Sequence, residues 1–139
     1  MKRWSLFDHP SDLGLEAWAD TPAGLFEALA QAAAEQVCPP RQVRPERVVT
    51  VQAAADGIEA LAVELLSVML HEFQLRRFLT REVRVTSLTD TAVSAELTGE
   101  TYDPARHELG PEIKAVTWHQ LTARREPDGA WYGRVLLDL

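Results

Sequence analysis

The sequence predicts an α+β fold, one domain over residues 1–139, with mostly antiparallel strands packed with two main helices. Three observations predict it. Two stretches carry apolar residues at helical spacing. Seven others alternate or read as strand-forming runs, and no internal repeat, low-complexity tract or long linker divides the 139 residues. A chain of this length can bury well over half of the surface that its unfolded form exposes.

The elements follow in order. Trp4 to Phe7 reads as a short edge strand, and Leu13, Leu15 and Ala17 alternate with Gly14, Glu16 and Trp18. Thr21-Pro22 opens the first helix, with Thr21 as N-cap and Pro22 at the first helical position. Leu25, Leu29 and Ala32 or Ala33 share one face, and Cys38-Pro39-Pro40 ends it because proline cannot continue the hydrogen-bond ladder. Arg47 to Ala53 alternates as a strand. Asp56 and Glu59 form a capping-box pair ahead of the second helix, where Ile58, Leu61, Ala62, Leu65, Met69 and Phe73 repeat at helical spacing as core positions. His71 on that helix reads as a surface or boundary residue. Four strands then follow, Arg81 to Leu88, Ala92 to Gly99, Glu112 to Arg125 and Ala130 to Leu139. The last two are joined by the turn formers Glu126-Pro127-Asp128-Gly129.

Composition narrows the function. The hydrophobic share (46%) and charged share (25%) are those of a soluble globular protein. No apolar run approaches the ~20 residues that span a bilayer, and the start lacks the apolar stretch of a signal peptide, so a cytoplasmic location is expected. Cys38 is the only cysteine, which rules out an intrachain disulfide and a thiolate zinc cluster. Fourteen basic against 21 acidic residues give a net charge of −7. Phosphate contacts dominate nucleic-acid affinity, so no strong direct nucleic-acid binding is expected, and cations or basic protein surfaces are the natural partners. The groups Arg41, Arg44, Arg47 and Arg76, Arg77, Arg81, Arg84 read as solvated faces or linkers.

Three stretches stand out. Asp8-His9-Pro10-Ser11-Asp12-Leu13-Gly14 packs two carboxylates and an imidazole ahead of a strand. Glu112 to His119 is a strand carrying Lys114 and His119. Arg134 to Leu139 keeps a strand pattern to the last residue, where most chains fray. An ordered end sets the Asp138 side chain beside the Leu139 carboxylate, and like charges that close repel unless a cation lies between them. Asp12 would bring the hard oxygen donors to three, the type calcium or magnesium prefers. The plainer reading stays open: Asp12 as a turn former, His9 as a structural histidine, Lys114 as a solvent-facing charge. No stand-alone catalytic constellation is seen. Ser11 has no Gly-x-Ser-x-Gly context, the glycines are scattered singly, and His-x-x-x-His is absent.

These motifs carry a resemblance. Asp8 to Gly14 is similar to the D/E-H-T-A-D-I/V-G motif that opens proteins of the archease family. Similarity continues at Trp18 to Thr21, Leu25 to Ala30, Ile58 to Leu61 and Gly99 to His107. It is strongest at Glu112 to His119, which resembles E-V-K-A-I-T-Y-H, and it closes with Val135 to Leu139. The resemblance implies an archease-like α+β domain and a divalent cation site, calcium being the ion usually assigned. Its ligands map onto Asp12, Asp138 and Leu139, with Lys114 as a further functional residue and Asp8, His9 and His119 as neighbours. It also implies an accessory role. Family members activate an RtcB-type RNA ligase in tRNA splicing and RNA repair, promoting its guanylylation and repeated turnover, and are not themselves enzymes. Pro10-Ser11 departs from the usual Thr-Ala. The alternatives are a stand-alone metal-dependent hydrolase using His9, Asp12 and His119, and a purely structural interaction domain.

Overall fold

The computed structural model describes residues 1–9 and 12–139, and of His119 and Gln120 the backbone only. Its elements run β1 (Lys2–His9), β2 (Asp12–Ala19), α1 (Pro22–Val37), a 3-10 turn (Pro40–Gln42), β3 (Arg47–Ala54), α2 (Ile58–Arg76), β4 (Phe78–Leu88), β5 (Ala92–Thr101), β6 (Ala115–Arg125) and β7 (Trp131–Asp138). The strands form a four-stranded sheet in the order β1-β2-β7-β6 and a three-stranded sheet in the order β3-β5-β4, antiparallel at every pairing.

Each helix packs against both sheets. Helix α1 lies on β1, β2 and β7 of the larger sheet and on β4 of the smaller, while α2 lies on β6 and on β3, β4 and β5. That placement explains the composition of α1. The sequence suggests one apolar face, but Leu25, Phe26, Ala28, Leu29, Ala30, Ala32, Ala33 and Ala34 are all buried. A helix covered on two sides needs apolar residues on more than one face, and small alanines let the flanking elements approach. The helix starts as expected: Thr21 Oγ1 accepts from Gly24 N at 3.0 Å, and Pro22 follows it.

Helix α2 starts differently from expectation. Its N-cap is Gly57, with no side-chain cap, so the Asp56–Glu59 box does not form. Gly57 has φ +101°, donates its N–H to Asp90 O and gives its carbonyl to Leu61 N as the first helical acceptor. The chain turns through a conformation that suits glycine, which puts Asp56 one residue too early to cap. Along α2, Leu61, Ala62, Leu65 and Met69 enter the core and His71 is exposed. Phe73 is half-buried in a small satellite cluster with Cys38, Val43, Leu79 and Tyr102.

Two strand boundaries matter for the site. Strand β6 begins at Ala115, so Glu112 to Lys114 precede it instead of belonging to it. Strand β7 ends at Asp138, one residue short of Leu139.

Candidate functional site

The order of the larger sheet places the second strand beside the last. In the β2–β7 ladder Asp12 is paired with Asp138, followed by Leu13↔Leu137 and Gly14↔Leu136. What fixes this register is the inward set: Leu15, Ala17, Val135 and Leu137 are almost wholly buried, and a slip of one residue would turn all of them outward. Hydrophobic burial thus sets two carboxylates opposite one another. Directly opposed side chains on one face of an antiparallel pair have Cβ atoms about 5 Å apart, where like charges destabilise the ladder.

The flanking strands add to the cluster. His9 is paired with Asp12 across β1–β2, and its Nδ1 lies 3.3 Å from Asp12 Oδ2. On the other side Ala115 is paired with Asp138. The residue before it, Lys114, donates its backbone N–H to Asp138 O at 2.8 Å. The Gln74 side-chain amide of α2 pins that approach, donating to Ile113 O (3.3 Å) and Lys114 O (3.4 Å). The Lys114 side chain is exposed, as are Asp138 and Leu139, whereas Asp12 is mostly covered. One sheet end therefore carries His9, Asp12 and Asp138 in a single cross-strand row, with Leu139 and Lys114 adjoining.

Not every sequence candidate joins it. Asp8 is paired with Leu13, so alternation sends it to the opposite face from His9 and leaves it exposed. The His119 side chain, and Pro10-Ser11 with their departure from the usual Thr-Ala, lie outside the described residues. Near His119 the β6–β7 register jumps from Thr117↔Leu136 to Thr122↔Arg134, five steps along β6 against two along β7. Sequence pattern does not reveal that irregularity.

Gly14 has a definite task beside the row. A Cβ there would lie 2.3 Å from the Phe7 ring, so the glycine lets that ring cross the sheet. Arg134 caps the ring, with its guanidinium carbon 4.1 Å from the centroid.

A second polar constellation escapes pattern reading. Glu100 is 2% exposed and accepts from the Arg106 guanidinium, from Arg44 N (2.7 Å) and from the His107 ring (Nε2 at 2.9 Å). His107 Nδ1 in turn accepts from Asp103 N at 2.8 Å, so Nε2 carries the ring proton given to Glu100. Arg106 chiefly, helped by Arg44 N and His107 against the effect of burial, holds the Glu100 carboxyl down to about 2. Every partner comes from the chain itself, and the arrangement ties the segment after β5 to the body. Burial also pushes the Cys38 thiol up, against any role as a thiolate.

Whether the first row suits a metal can be judged from its donors. Two opposed carboxylates are hard oxygen ligands of the kind calcium and magnesium take, and a cation would relieve their repulsion. In donor type and adjacency the residues fit. Among the described residues, no three His, Cys, Asp or Glu side chains already converge as a ligand group. No described helix is long and apolar enough to cross a membrane.

The fold itself is shared with solved proteins. The solution structure of Methanobacterium thermoautotrophicum protein 1598 superposes with a TM-score of 0.79 at 24% identity, covering 98% of both chains. A crystal structure of an archease, possible chaperone, from Thermotoga maritima gives 0.65 at 17% identity, covering 96% of this chain and 94% of that one. These likenesses define the class: a two-sheet, two-helix α+β fold of the archease type. Sequence comparison goes further. The chain is 33% identical to protein archease of Methanopyrus kandleri over 143 residues, 98% of this chain and 99% of that protein. It is 29% identical to protein archease of Pyrococcus abyssi over the full length of both. The profile of the Archease protein family matches residues 4–139, and the chain belongs to that family.

Proposed function

We propose that this protein is a non-enzymatic accessory factor of the cytoplasm that binds a divalent cation, calcium by family likeness, and activates an RtcB-type RNA ligase. The observation that supports it is the ladder pairing of Asp12 with Asp138 one residue before the chain end. Burying the flanking leucines forces these carboxylates together, and a cation held by Asp12, Asp138 and the Leu139 carboxylate offsets the cost. The site lies at an open sheet end with Lys114 beside it, so the bound ion and the lysine are presented outward to a partner. An acidic protein with such a protruding site suits a ligase whose active centre is basic enough to hold RNA and GTP. The description of the Thermotoga maritima relative as a possible chaperone is compatible with an accessory role.

The test is reconstitution with the ligase. Asp138→Ala, confirmed folded by its melting curve, should lose most stimulation of ligase guanylylation and turnover. Full activation by that folded variant would remove the cation site from the mechanism. The hydrolase reading has one observation in its favour, the His9–Asp12 contact at 3.3 Å. Turnover of phosphoesters by the purified protein without a partner would establish it.

A further inference from the structure

The outward face of the four-stranded sheet is unlike an ordinary solvated sheet surface. Because β1, β2, β7 and β6 lie side by side, their registers align residues into rows running across all four strands. One row reads Arg3↔Trp18↔Tyr132↔Arg124. The Arg3 guanidinium carbon lies 4.2 Å from the Trp18 ring centroid. Trp18 and Tyr132 are 5.5 Å apart, and Arg124 sits 5.2 Å from the Tyr132 ring. The next row holds Ser5, Glu16, Arg134 and Thr122. The row after that holds Phe7 under Arg134, with Gly14 and the fully buried Leu136 alongside. The helices pack on the opposite face.

In these three rows the charge runs against the chain as a whole. Within a protein of net charge −7, three guanidiniums share it with a single carboxylate in these rows, Glu16. Glu16 is itself engaged: Ser5 Oγ donates to it at 3.2 Å and Tyr132 OH at 2.9 Å. Among the described residues no ion pair neutralises Arg3, and Arg124 has only Glu126 at 3.4 Å. Planar rings capped by planar guanidiniums suit a ligand that is both anionic and stackable. Bases stack on aromatic rings and on arginine planes alike, and phosphates seek guanidinium donors. A merely acidic protein surface would use the charges and leave the rings idle.

We propose that this sheet face, centred on Arg3, Trp18, Tyr132 and Arg124, is a weak docking platform for single-stranded nucleic acid. The acidic row of His9, Asp12 and Asp138 lies on the same face, six residues along the strands from Trp18, or about 20 Å. The platform stands independently of the accessory role, because its binding is measured on this chain alone.

The experiment is fluorescence anisotropy of labelled 12-nucleotide oligouridylate and oligothymidylate with the full chain, in chelator so that no cation contributes. Saturable binding is expected, weakening about 20-fold between roughly 50 and 200 mM salt if three phosphates are contacted. Arg3→Ala and Arg124→Ala are exposed changes that keep the fold, and each should weaken binding severalfold. Trp18→Ala should weaken it about tenfold. Should Trp18→Ala unfold, quenching of tryptophan fluorescence by the oligonucleotide, shifted severalfold to higher concentration in Arg3→Ala, tests the same contact. Thr50→Ala, on the outer face of the other sheet, should change nothing. Absence of binding at millimolar protein, or binding indifferent to both arginine variants, overturns the proposal. Polyglutamate that binds with equal strength and needs Arg3 but not Trp18 overturns it too, and assigns the face to an acidic protein partner.

Discussion

Asp12 in β2 and Asp138 in β7 are direct partners in an antiparallel ladder, although 126 positions separate them along the chain. The leucines and valines beneath them set that register. The acidic pair is thus held in place by the core and not by its own chemistry.

This relationship has a cost that can be measured. Without metal, Asp138→Asn should raise stability by a few tenths up to about 1 kcal/mol at low salt, since it removes a like-charge pair. A rise in melting temperature of a few degrees in chelator is expected, shrinking as salt screens the repulsion. A lower melting temperature would mean that the Asp138 charge is already compensated within the fold.

Lys114 offers a separation of fold from function. Its side chain is exposed and forms no ion pair among the described residues. Lys114→Ala should leave stability within about 0.5 kcal/mol. Ligase stimulation should fall roughly tenfold or more, the scale of a lost interfacial charge contact. Equal losses in melting temperature and stimulation would assign the lysine to the fold.

Acid should expose the second constellation. Glu100 titrates at about 2 in the fold against 4.5 as its ordinary value. A depressed carboxyl contributes stability that is complete above the ordinary value and is lost as pH falls through the folded one. Unfolding curves should therefore weaken from about pH 4.5 toward 2, and Glu100→Gln should flatten that slope. Glu100→Ala should cost about 2–3 kcal/mol at neutral pH, because Arg106, His107 and Arg44 N lose their acceptor.

The start of α2 makes a paired prediction. Gly57→Ala meets no neighbouring atom within 4 Å, so its whole penalty comes from φ +101° and should be about 1 kcal/mol or more. Asp56→Ala should stay within about 0.5 kcal/mol, because Asp56 caps nothing. The reverse ranking would restore the capping box.

These cases show where the sequence speaks and where it does not. The Thr21-Pro22 cap, the run Leu61 to Met69 and the inward alternation of β2 are local patterns whose period survives folding. The proximity of Asp12 to Asp138 was inferable from an ordered, strand-patterned chain end together with family likeness. Strand order was not, because β2 pairs with β7 across the whole chain, and only that order aligns Arg3, Trp18, Tyr132 and Arg124. Glu100 eludes period reading since it follows the inward Gly99 and is buried by the segment after it, not by the core. The jump between Thr117 and Thr122 departs from any regular pattern. Lys114 resembled a strand residue because Ile113, Val116 and Thr117 around it are β-branched, yet β6 starts one residue later.

The most direct test of the central claim is calorimetric titration of calcium into the full chain, beside Asp12→Asn and Asp138→Asn. One saturable site is expected in the native protein, lost in both variants while their folds persist. Calcium binding unchanged in either folded variant, or none at millimolar ion in the native chain, would contradict it.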